Sequence, residues 1–111
     1  MEALDKVVKA YQKNGFEDGQ VVEALKALRE EFKTIGNPTL TKVCRLAYEH
    51  IEENGDFLVD VFPERAEDDE TSFEYFLQLV GDYSNKFNLS EIQDYKKLLL
   101  GEELEPEEEE E

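Results

Sequence analysis

The chain has 111 residues and a net charge of −17, from 29 acids against 12 bases. With 40% apolar residues, seven Phe and five Tyr, it holds the material for one buried core, which excludes a wholly disordered acidic protein. The charge repels phosphate backbones and anionic lipid, so neither nucleic acid nor membrane is expected as a partner, whereas a basic protein is attracted.

The first predicted helix covers residues 2–14. Leu4, Val7, Val8 and Tyr11 share one face, Lys6, Lys9 and Lys13 lie opposite, and Asn14-Gly15 stops it. The second covers 19–35 with Asp18 as N-cap. Its stripe of Val21, Leu25, Leu28, Phe32 and Ile35 is the cleanest in the chain, and Gly36-Asn37-Pro38 ends it. The third covers 40–53 behind Thr39, with Leu40, Val43, Cys44, Ala47 and Ile51 inward and Asn54-Gly55 as a second stop. Residues 56–63, DFLVDVFP, fit a short strand, a helical turn or a packed loop.

Residues 64–70, ERAEDDE, hold five acids and one Arg and read as an exposed acidic loop. Thr71-x-x-Glu74 is a capping box opening a fourth helix over 72–85, with Phe73, Phe76, Leu77, Val80 and Tyr83 on one face. Ser90-x-x-Gln93 opens a fifth over 91–100, with Leu89, Ile92, Tyr95 and Leu99 inward. Residues 101–111 hold eight Glu and no base. The expected architecture is all-α: a bundle of about five short helices over 1–101, then a disordered poly-Glu tail over 102–111. The loop and tail carry 12 of the 17 net charges, so the acidity is added to a nearly neutral domain.

A weak internal echo relates Leu4, Val7, Tyr11 and Asn14-Gly15-Phe16 to Leu40, Val43, Tyr48 and Asn54-Gly55-Asp56-Phe57. The spacings drift and only two copies exist, which favours amphipathic coincidence over a repeat.

No apolar run approaches the ~20 residues of a membrane span, and the opening MEALDKVVKAYQ lacks a secretory pattern. The single cysteine, Cys44, excludes an intramolecular disulfide and points to a reducing cytoplasm. Catalytic chemistry finds no support. His50 is the single histidine and has no nucleophile to serve, Glu53 being one turn away as a surface pair. At ~100° per residue Cys44 and His50 face different directions on their helix, so they cannot share a metal. Cys44 lies on an apolar stripe and reads as a buried, inert thiol. Asp82-x-Ser84-x-Lys86 has the outline of a calcium loop, but Lys86 stands at a ligand position, Phe87 where Gly belongs and Gln93 where a bidentate Glu belongs. No catalytic residue, metal site or cofactor is expected.

What remains is a small cytoplasmic protein-interaction module, monomeric or homodimeric, without catalysis. The alternative is an acidic inhibitor or mimic that neutralises a basic protein, of the immunity-protein or DNA-mimic kind. A divalent-cation binder comes third. Inhibition by mimicry wants acids held rigidly at phosphate-like spacing, and most of the excess charge here falls in the loop and tail. The partner expected is a protein, basic by charge complementarity, met through residues 56–76. The candidate contact residues are Phe57, Phe62, Asp68, Asp69, Glu70 and Tyr75: aromatics beside acids.

Overall fold

The computed structural model describes residues 1–62, 64–66, 68 and 70–102, and among them it contains five helices and no strand. They are α1 (Glu2–Asn14), α2 (Gln20–Ile35), α3 (Pro38–Asn54), α4 (Ser72–Gly81) and α5 (Lys86–Leu99). The expected all-α class is what the described residues adopt. Of the expected tail, 102–111, only Glu102 is described, its amide bonded to the Lys97 carbonyl at 2.9 Å, and 103–111 lie outside the described residues, as do Pro63 and, in the acidic loop, Glu67 and Asp69.

Local chemistry sets the helix ends. Gly15 and Gly55 take positive φ, 60° and 74°, and their N–H groups bond back to Tyr11 and Ile51; an L side chain is disfavoured there. The Asp18 carboxylate accepts the Gln20 amide at 3.1 Å, so it caps α2 from one residue outside the cap position, which Gly19 occupies. The start of α3 corrects the sequence reading. Asn37, not Thr39, is the N-cap, its Oδ1 accepting the Leu40 amide at 3.0 Å with Pro38 in the first turn. Proline suits that position because its missing N–H would have no partner there anyway.

The Thr71–Glu74 capping box forms in both directions, at 3.1 and 2.8 Å. Helix α4 ends at Gly81 rather than at 85, and α5 starts at Lys86 rather than 91. Asn85 is the reason: its Oδ1 accepts the amides of Phe87 and Asn88 at 2.9 and 3.2 Å. Ser90 and Gln93 therefore lie inside α5. The earlier start leaves Phe87 79% exposed, and Leu89, expected inward, is also exposed.

Helix α2 packs along both α1 and α3, giving a sequential three-helix layer. The α4–α5 hairpin covers it, with α4 against α1 and α5 against α3. The first part of the core is aliphatic apart from Phe32. Val21, Leu25, Leu28 and Phe32 of α2 are fully buried with Val7 of α1 and Leu40, Val43, Cys44 and Ala47 of α3. Ile35 ends the stripe and is exposed.

The second part is aromatic. Phe73 meets Tyr11, Phe16 and Phe57 at centroid distances of 5.0, 5.1 and 5.0 Å. Phe76 meets Phe57 and Tyr95 at 5.3 and 5.2 Å. All five separations lie in the favourable range for ring pairs. The internal echo acquires a physical meaning here. After each Asn-Gly stop the next phenylalanine, Phe16 or Phe57, drops onto the same ring of α4.

Leu28 sits mid-stripe and fully buried between α1 and α3. Leu28→Ala is expected to lower the unfolding free energy by about 2–5 kcal/mol in urea titration. A loss below ~1 kcal/mol would mean that the stripe faces no packed neighbour.

Candidate partner-binding face

Residues 55–71 join α3 to α4, and side-chain bonds hold them to the bundle. The chain leaves α3 with the Leu58 amide donating to His50 Nε2 at 3.0 Å. His50, sequence-read as a surface residue beside Glu53, thus anchors the linker. Phe57 is 7% exposed and lies among Phe73, Phe76 and Tyr95. This corrects its place among the candidate contact residues: burial leaves it nothing to offer a partner. Farther on, Ser72 Oγ donates to the Val59 carbonyl at 2.6 Å, so the Tyr95 hydroxyl, 2.8 Å away, supplies the proton between that pair.

The acidic loop closes on an ion pair. Arg65 Nε and Nη2 donate to the two Asp60 carboxylate oxygens, each at 2.7 Å, and its Nη1 donates to the Glu70 carbonyl at 3.1 Å. The fork is bidentate, the strongest geometry this pair can take, and only 12% of the Arg65 side chain is exposed. Burial pushes the Asp60 carboxyl upward, but the Arg65 hydrogen bonds, the Phe62 amide and the Arg65 charge outweigh it and hold it below the ordinary 3.8. The same hydrogen bonds raise Arg65.

The guanidinium also lies 5.1 Å from the Phe62 ring and 5.5 Å from the Tyr75 ring, and those rings are 5.1 Å apart. Phe62 is 44% exposed. Tyr75 is half-buried and its hydroxyl donates to Glu91; burial first, then that carboxylate, raises its ionisation above the normal phenol range. Glu64, Asp68 and Glu70 are exposed. The structure thus brings Phe62 and Tyr75 together with Arg65, which also holds the Glu70 carbonyl; Asp68 is exposed, Phe57 is buried in the core, and Asp69 is outside the described residues.

Asp60 and Arg65 went unnoticed in the sequence, where Arg65 counted only as the one base of an acidic run. An Asp five residues before a lone Arg is no signal in itself, because only the turn between them brings the pair together. Elsewhere, Cys44 is fully buried, and burial pushes its thiol up to about 12, which leaves it unreactive near neutrality. Among the described residues no group of three or more His, Cys, Asp or Glu side chains could hold a metal ion, and no helix is long and apolar enough to cross a membrane. No family model matches the chain, and no curated protein or solved structure does either.

The lowered Asp60 ionisation sets a pH dependence. A carboxyl held below its unfolded value stabilises the fold fully above that value, and the contribution disappears as pH falls through the lower folded one. Asp60→Asn is expected to lose about 1.5–3 kcal/mol at pH 7, the range for a hydrogen bond to a charged group. The gap from wild type should close under strongly acid conditions. Urea titrations at neutral and acid pH check this; a gap constant with pH would show that the carboxylate charge contributes nothing.

Proposed function

We propose that this chain is a protein-interaction module, without chemistry of its own, that meets a basic protein through the face built by residues 58–76. The observation that carries the reading is Phe62, a large ring 44% exposed beside Tyr75, in a stretch of chain where Glu64, Asp68 and Glu70 are exposed as well. An exposed apolar anchor in an acid-rich stretch suits a basic partner: charge speeds the encounter, and the desolvated aromatic contact slows dissociation. The net charge of −17 supports a basic protein over nucleic acid or an anionic membrane. The single, deeply buried Cys44 fits a reducing cytoplasm, where the module acts as a monomer or homodimer.

Affinity capture from the native cell supplies the partner, and two variants then test the face. Phe62→Ala should weaken binding by ~2 kcal/mol, mainly through faster dissociation. Asp68→Lys with Asp69→Lys should slow association and flatten its salt dependence. Melting temperatures accompany both, because Phe62 also packs on Arg65. If neither variant changes binding while both remain folded, the partner does not use this face.

A further inference from the structure

Two grooves flank α1, and their charges differ. The groove between α1 and α2 carries Lys6, Lys9 and Lys13 along its wall, against two acids, Asp18 and Glu23. The groove between α1 and α4, about 470 Å³, has no base in its lining. Leu4, Val8, Tyr11 and Leu77 supply its apolar part, while Glu70 and Glu74 place two negative charges on it. Antiparallel helices bound it. At one end Leu4 lies against Gly81, where a Cβ would come within 3.1 Å of Leu4 Cδ2. At the other, the Tyr11 hydroxyl is 3.0 Å from Thr71 Oγ1.

We infer that this groove receives one amphipathic helix of a partner protein, apolar along one stripe and rich in Lys or Arg beside it. The inference rests on the interaction reading above and names the partner's contact element. The apolar wall from α1 has the spacing Leu4, Val8, Tyr11, a ridge two turns and ~10 Å long that a facing helix can pack against. An extended peptide fits poorly: helices spend their own backbone groups internally, and the described residues offer no strand edge, so its buried amides would go unpaired.

Charge selects the occupant. A basic helix is attracted by Glu70 and Glu74 here, where no base opposes them, and finds no such attraction across α1, where three lysines outnumber two acids. Both carboxylates already accept one bond, Glu74 from the Thr71 amide and Glu70 from the Gln78 side chain, which fixes them in place. Glu70 also takes part in the acidic loop through its carbonyl, which Arg65 holds. The groove and the Phe62 face are thereby linked through one residue.

The probe is a synthetic peptide about five turns long, with Leu at helical spacing and Lys elsewhere. Its control has the same composition in strict alternation. Backbone and methyl NMR of the full chain should show the patterned peptide shifting Val8, Tyr11 and Leu77. Gln12→Arg with Gln78→Arg adds two charges at exposed lining positions and should weaken it by about tenfold or more. Thr34→Arg with Gln93→Arg, also exposed and outside the lining, makes the same charge change and should have little effect. The inference is overturned if the two peptides bind alike, if shifts stay in the loop or tail, or if no peptide binds. Should the groove variants be silent while Phe62→Ala and the loop variant still weaken the captured partner, the groove falls and the interaction reading stands. Should the peptide seat in the groove while those face variants leave the captured partner unaffected, the Phe62 face falls and the groove remains.

Discussion

Phe57 leaves water where the two halves of the chain meet. It follows the α3 stop at Gly55 and contacts Phe73 and Phe76 of α4 and Tyr95 of α5, at 5.0, 5.3 and 5.9 Å. One ring therefore joins the linker to both helices of the second layer. Burying a Phe side chain stabilises by about 1.5–3 kcal/mol, and a well-placed ring pair adds ~0.5–1.5 kcal/mol. The exposed Lys26 contacts with Glu23 and Glu52, at 3.6 and 3.5 Å, are each worth about 0–1 kcal/mol. Those pairs lie within α2 and between α2 and α3, so they do not cross between the layers, which aromatic burial joins.

With that ring fixed, the linker has little freedom. Leu58 is tied to His50, Val59 to Ser72, and Asp60 to Arg65. Arg65 consequently joins Asp60 to the Glu70 carbonyl, with Phe62 and Tyr75 against its guanidinium. This bears on recognition. An aromatic held against such a fork loses less conformational freedom on binding.

Much of the fold was legible because it lies in local periodicity. The Val21–Phe32 stripe, the two Asn-Gly stops and the Thr71–Glu74 box each rest on residues three or four apart, which is the range over which sequence reports structure. The misreadings share a cause. Asn37 and Asn85 are caps that resemble ordinary turn residues, so Thr39 and Ser90, the more familiar signals, took their place. The 56–63 segment was ambiguous because its partners lie far along the chain: Phe57 alternates like a strand residue, yet its burial is decided by Tyr95. Of the candidate face, Phe62, Tyr75 and the acids were visible as composition. The Asp60–Arg65 fork that organises them was not, since an Asp–Arg separation of five residues predicts nothing without the turn between them. The α1–α4 groove is a property of packing alone.

The account's central claim is that the linker belongs to the core through Phe57, so that the Phe62–Tyr75 pair beside Arg65 is positioned by folding. Equilibrium unfolding of Phe57→Ala by denaturant tests it most directly. The account predicts one cooperative transition with stability lowered by about 3–5 kcal/mol, the usual cost of emptying a buried Phe site. A loss under ~1 kcal/mol, with the Asp60→Asn effect unchanged in that background, would contradict it and make the linker a detachable loop lying on a bundle that does not need it.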